Sequence, residues 1–122
     1  MAEIAYIIDY VQLESGNFPF KKFLETLNFE ERAEILSYIE ELRFRLNNKL
    51  NVSFKLSKHL KDGIFELRVK HINRISRSLY FFQSDKRLVF TNGFIKKTNE
   101  TPNNEIEKAI KYRNIYLSEK KI

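Results

Sequence analysis

The period of the hydrophobic pattern changes along the chain and separates predicted strands from predicted helices. Residues 3–12 are rich in Ile, Tyr and Val, which is typical of a β-strand. Apolar and polar residues alternate over 65–70 and again over 75–82, and a third run covers 87–92. Short connections join these three runs, so the pattern predicts an antiparallel meander.

Apolar residues at helical spacing predict two helices in the first half of the chain. Asn17 is expected to cap a short helix over 18–27. Asn28, with Glu31 three positions later, resembles a capping box and precedes a helix that runs to 46–49. The apolar stripe of this second helix is most simply explained by core packing.

A third helix is predicted near the end of the chain, with Thr101 as its N-cap and Pro102 in its first turn. Residues 50–62 have no clear period and lead into an Asp-Gly turn signal. The predicted order is therefore β-α-α-β-β-β-α. This order indicates an α+β fold, an antiparallel sheet with helices packed on it, in a single domain over residues 1–122.

Composition narrows the classes of function. The 122 residues include no Cys, two His and three Gly. The absence of Cys excludes a disulfide scaffold, a thiolate zinc site and a Cys nucleophile, and so few His argue against a histidine metal site. We therefore expect no cofactor. The first apolar run, over 4–8, is too short for a signal peptide or a membrane helix, so we expect a cytoplasmic protein.

Charge is divided unevenly between the two halves. The net charge of +6 is the balance of −3 over residues 1–50 and +9 over residues 51–122. Such asymmetry favours the approach of a polyanion to the second half. A solvated, lysine-rich surface would have the same composition, so charge alone leaves both interpretations open.

Basic residues recur on the predicted strands of the meander. Arg68 lies on the first of them, Arg77 on the second, and Lys96 after the third. Because adjacent strands lie about 4.8 Å apart, we expect these side chains to converge on one sheet surface and form a pocket for phosphate. Arg77 interrupts an apolar phase and would need a counter-charge if buried, for which Glu66 is the candidate. The alternative is that these arginines serve structural salt bridges.

The aromatic and histidine residues of this region allow two interpretations each. Tyr80, Phe82 and Phe94 either stack on nucleic-acid bases or form part of the core. His71, beside Lys70, either takes part in proton transfer or is an ordinary surface residue.

Four linked motifs resemble those of a known superfamily. Residues 60–68 (LKDGIFELR) are similar to the L-x-x-G-L-x-E-L-R signature of the RelE/HigB toxins, and residues 77–82 (RSLYFF) to their R-x-x-Y-F-F. Residues 88–98 (LVFTNGFIKKT) resemble L-L-x-G-F-x-K-K-T. Pro102, Ile106, Ala109 and Arg113 resemble T-P-x-x-x-I-x-x-A-x-x-R, with one extra residue before the Arg. The resemblance is to the phage-derived HigB-like subgroup of type II toxin–antitoxin toxins.

The resemblance implies a fold, an activity and partners. The fold would be microbial-ribonuclease-like, with helices packed on one side of the sheet. The activity would be that of a ribosome-dependent mRNA endoribonuclease, an mRNA interferase that inhibits translation without a metal. The partners would be mRNA, the ribosome and a cognate antitoxin, a helix-turn-helix protein of the HigA type, and no membrane.

The resemblance also implies site residues. Carried over position by position, it gives catalytic roles to Arg68, Arg77 and Lys96. Candidates for substrate binding are Lys70, His71, Tyr80 and Lys97. Some relatives carry a Tyr or an Asp-Tyr-His-like set near the C-terminus. Residues 98–105 contain none of these, so the general base and acid stay open between Lys96 and Lys70, with His71 a weaker candidate.

The expected chemistry is attack of the RNA 2′-hydroxyl on the adjacent phosphate, which leaves a 2′,3′-cyclic phosphate and a free 5′-hydroxyl. Arg68 and Arg77 would stabilise the developing negative charge. Two alternatives remain at this stage. A ParE-like toxin would inhibit DNA gyrase by binding, and an inactive toxin would act only as a corepressor with its antitoxin.

Overall fold

A computed structural model describes residues 5–96 and 100–119. Its elements are β1 (Ile7–Tyr10), α1 (Pro19–Glu25), α2 (Phe29–Asn47), β2 (Ser57–Lys61), β3 (Ile64–Lys70), β4 (Ile75–Gln83), β5 (Arg87–Lys96) and α3 (Asn103–Glu119). The predicted α+β class is confirmed. Within the described ranges, no helix combines the length and the apolar character needed to cross a bilayer.

The five strands form one mixed sheet in the order β1-β5-β4-β3-β2. The predicted antiparallel meander is confirmed for β3, β4 and β5. The sheet is not wholly antiparallel, however, because β1 pairs in parallel with β5 at its edge. It also has one strand more than predicted, since β2 lies within the segment without a clear period. Asp62 and Gly63, with φ of 53° and 79°, make the left-handed turn that joins β2 to β3.

Helices cover both faces of the sheet, not one side as the resemblance implied. On the α1/α2 face, these two helices cover a cluster that includes Leu67, Tyr80 and Phe90. On the α3 face, Ala109 of the last helix packs against a second cluster that includes Leu79. The central strands are therefore apolar on both sides. The α3 face matters most below, because it also carries the basic residues.

One of the three predicted helix N-caps is confirmed, and the other two differ from the structure. The capping box of α2 is confirmed: Asn28 Oδ1 accepts from the Glu31 backbone N–H, and Glu31 Oε1 accepts from the Asn28 backbone N–H. The prediction that Asn17 caps α1 is wrong, because the N-cap is Phe18 and has no side-chain hydrogen bond there. Helix α3 begins at Asn103, and the Thr101 hydroxyl is engaged elsewhere.

Candidate functional site

The structure brings the side chains of Arg68, Arg77 and Lys96 to the same face of three adjacent strands. Arg68 and Arg77 are direct cross-strand partners, and Arg77 in turn pairs with Phe94. Phe94 packs against the cluster on the α3 face, and Lys96 lies two residues farther along β5. Since side chains two apart on a strand share a face, all three cations belong to the α3 face.

Arg77 is buried against Glu66, the partner that the sequence suggested. Its Nη1 donates to Glu66 Oε2 at 2.7 Å, and the two side chains are only 3% and 2% exposed. The Thr101 hydroxyl donates to the other carboxylate oxygen, Oε1, at 2.6 Å. Glu66 therefore ties β4 to the residues just before α3. A buried pair of this kind is costly to break, because the surviving partner keeps an uncompensated charge.

Lys96 is the least satisfied cation of the group. It is only 8% exposed, and its Nζ has no hydrogen-bond partner among the residues that the structure describes. Burial lowers the pKa of Lys96, and the nearby positive charge of Arg77 lowers it further. Both effects favour the neutral amine, which can accept a proton. Lys96 is thus suited to acid–base work, although solvent does not reach its amine in this conformation.

Arg68 reaches a groove at the edge of the sheet, which we call the edge groove. The pairing of β2 with β3 stops at Leu67, so the last residues of β3 project beyond β2. The groove has a volume of about 860 Å³ and lies between α2, residues 51–56 and the ends of β3 and β4. Arg68 and Lys70 line it, and neither side chain forms a hydrogen bond or ion pair with another described residue. These two cations are therefore available to a ligand.

Tyr80 lies apart from the basic group, so its contact with substrate stays a prediction that this geometry does not favour. It lies on the α1/α2 face, is 1% exposed, and its hydroxyl hydrogen bonds to Ser57 Oγ at 2.6 Å. Burial raises its pKa to about 12. Phe82 packs with Tyr80 and Phe65, so of the three aromatic residues considered, Phe94 alone shares a face with Arg77.

His71 is buried, which corrects the expectation that it lies on the surface. Its Nδ1 lies 2.8 Å from Glu34 Oε1, and its Nε2 lies 2.9 Å from Ser76 Oγ. A second link nearby joins Arg74 to Glu31 of α2 through two hydrogen bonds. His71 therefore helps to attach the β3–β4 connection to α2 and is not grouped with Arg77. Lys97 lies outside the described residues.

Residues of the edge groove outside β3 were not predicted as site residues. Tyr38 and Arg45 come from α2, and Lys55 comes from the segment that had no clear period. A helical pattern separates a polar face from a core face but does not say which polar positions border the end of a strand. The role of Thr101 was missed because its sequence context is that of an N-cap.

A model of a known protein family matches most of the chain. Residues 22–114 match the family described as phage derived protein Gp49-like (DUF891). The matched stretch runs from α1 into α3 and includes Glu66, Arg68, Arg77 and Lys96. No curated protein matches the chain. Since the match covers more than half of the sequence, the chain belongs to the Gp49-like family of phage-derived proteins, a RelE/HigB-like toxin family.

Proposed function

We propose that this protein is the toxin of a type II toxin–antitoxin system and acts as a ribosome-dependent mRNA endoribonuclease. The observation that carries the proposal is the grouping of Arg68, Arg77 and Lys96 on one sheet face. Membership of a toxin family supports the physiological role. The net charge of +9 over residues 51–122 supports a polyanionic substrate.

The reaction would use the substrate's own 2′-hydroxyl as the nucleophile. The 2′-oxygen forms a bond to phosphorus while the bond from phosphorus to the 5′-oxygen breaks. The 2′-hydroxyl loses a proton, and the 5′-oxygen gains one. The products are a 2′,3′-cyclic phosphate and a 5′-hydroxyl, and the balance needs no oxidant, reductant or added nucleophile.

The cations would divide this work according to their exposure. Arg68 and Lys70 line the edge groove and would contact the phosphate directly. Arg77 would act from its place beside Arg68 on the neighbouring strand, where its ion pair with Glu66 holds it. Proton transfer would fall to Lys96, whose lowered pKa favours the neutral amine. Because this amine is buried, the RNA-bound state must expose it, and the ribosome would help to orient the substrate.

The direct test is Arg68→Ala, expressed without antitoxin, with primer extension on cellular mRNA. Arg68 is partly exposed and bonds to no other described side chain, so its loss should leave the fold intact. Lys22→Ala, which removes an exposed cation on α1, is the matched control. Arg68→Ala should abolish both cleavage and growth arrest, and the control should abolish neither. Wild-type cleavage by Arg68→Ala would refute the assignment. Growth arrest by the wild type with stalled gyrase and intact mRNA would favour a ParE-like inhibitor instead.

The antitoxin is the second partner in the proposal. Membership of the family implies an antitoxin, and we propose that it is a helix-turn-helix protein of the HigA type that masks the basic surface. Coexpression of the protein encoded by the adjacent gene should restore growth. A neighbour that restores growth but lacks a helix-turn-helix would contradict this part of the proposal alone.

A further inference from the structure

We propose that Tyr38 of α2 is a substrate-binding residue, on which an unpaired RNA base stacks while Arg68 and Lys70 hold the adjacent phosphates. This inference rests on the proposed function and adds to it the form of the substrate. The protein would recognise a single strand whose base is turned away from its neighbours. The observation that carries it is an aromatic ring that stacks on no other described ring, in a groove with three cations that form no ion pair with described residues.

The ring of Tyr38 is exposed and makes no contact with another described aromatic ring. It is 38% exposed and lines the edge groove. Over the described residues, it stacks on no other ring and its hydroxyl forms no hydrogen bond. By contrast, Phe65 and Tyr80 stack on each other in the interior. A tyrosine offers a large flat surface that loses little conformational entropy on binding, so an exposed, unpartnered ring is ready to accept a base.

The charges around Tyr38 indicate an anionic strand. Arg45 is already neutralised, because its Nε lies 2.5 Å from Glu41 Oε2. Lys55, Arg68 and Lys70 line the same groove, and none of them forms an ion pair with another described residue. Proteins that bind single strands combine a positively charged path for the backbone with aromatic rings for the bases.

The edge groove is also large enough to hold a nucleotide base. Its volume of about 860 Å³ lies within the range of roughly 300–1,000 Å³ that sites for small organic ligands occupy. Arg68 belongs both to the groove and to the strand pair that holds Arg77. A base on Tyr38 would therefore place the neighbouring phosphate next to Arg68.

The test is binding of a short 2′-O-methyl RNA, which the proposed reaction cannot cleave, measured by fluorescence anisotropy. The same strand with an abasic position and a plain polyphosphate serve as probes that lack the base. Tyr38→Leu should weaken binding of the intact strand by roughly 5- to 150-fold and leave binding of the polyphosphate unchanged. Tyr38→Leu and the wild type should bind the abasic strand with similar affinity. Tyr38→Phe, which keeps the ring, should retain the affinity.

The control is Phe44→Leu, because Phe44 is an aromatic residue of the same helix that is 57% exposed and lies outside the groove. It should bind as the wild type does. The inference is overturned if Tyr38→Leu binds the intact strand as tightly as the wild type does. It is also overturned if the substitution weakens binding of polyphosphate by the same factor as binding of the intact strand. It is also overturned if an acidic peptide binds as tightly as RNA and is insensitive to Tyr38. If the wild type binds RNA through Tyr38 but ribosomal mRNA stays intact, the proposed function fails and this inference stands.

Discussion

At the scale of single residues, Glu66 determines how Arg77 can be tested. Removing Arg77 alone leaves the Glu66 carboxylate 2% exposed and without its ion-pair partner. We expect Arg77→Ala to lower the free energy of unfolding by about 3–5 kcal/mol, measured by urea denaturation. Loss of toxicity in that variant would therefore not separate a catalytic role from misfolding.

A double variant separates the two. Replacing both partners, as Arg77→Met with Glu66→Leu, removes the buried charges together and should return stability to within about 1–2 kcal/mol of the wild type. If Arg77 contributes to cleavage, this folded variant stays nontoxic. Full toxicity in the double variant would show that Arg77 is only structural.

The lowered pKa of Lys96 predicts how the stability of the protein changes with pH. Its pKa in the folded protein lies below the ordinary value of 10.5, so the folded state releases its proton before the unfolded state does. Between the lowered pKa and about 10.5, the unfolded chain binds more protons, and rising pH therefore favours folding. The wild type should gain stability relative to Lys96→Met as pH rises through this window. Parallel pH profiles of the two proteins would contradict the burial of Lys96.

At the scale of elements, the packing of α1 on the sheet depends on a close approach at Gly93. A Cβ atom at this position would collide with the ring of Phe23. We expect Gly93→Ala to lower the free energy of unfolding by about 1–3 kcal/mol, because the ring must move within a packed layer. Gly16→Ala is not a suitable control, since its φ of 94° adds strain. Lys22→Ala serves instead, and equal urea midpoints for both variants would refute the close packing.

How much of the fold could be predicted depends on how far apart in sequence the interacting residues lie. The capping box of α2 and the meander were predictable because both depend on residues near each other in sequence. The parallel pairing of β1 with β5 joins distant segments, and no local pattern specifies it. The placement of Arg68 beside Arg77 followed from the two-residue period of paired strands, and the apolar phase around Arg77 suggested its pairing with Glu66.

Tyr80 shows why the exposure of a strand residue could not be predicted from alternation alone. It shares its side of β4 with Ser76 and Ser78, and the sequence left open whether it stacks on bases or belongs to the core. Because β4 lies in the middle of a sheet covered on both faces, these residues are buried. Polar alternation on a central strand therefore did not mark the solvent side. His71 lies after β3 and is held by Glu34 of α2 and Ser76 of β4, contacts that no local pattern specifies.

At the scale of the whole molecule, the uneven charge predicts a strong salt dependence. The basic groove residues would displace counterions from a bound strand, so the affinity for RNA should fall linearly on a log–log plot against salt. Each lost phosphate contact should reduce the slope by about 0.7 for a single strand. We expect Arg68→Ala to show this reduction and Lys22→Ala to show none. An identical slope for Arg68→Ala would mean that Arg68 contacts no phosphate.

Ribosome-dependent cleavage is tested most directly with purified protein and ribosomes that carry a defined mRNA. We expect the wild type to cut the mRNA in the A site and to leave a 2′,3′-cyclic phosphate and a 5′-hydroxyl, whereas Arg68→Ala should leave the mRNA intact. Uncut mRNA with the folded wild type, or fragments that end in a 5′-phosphate, would contradict this expectation.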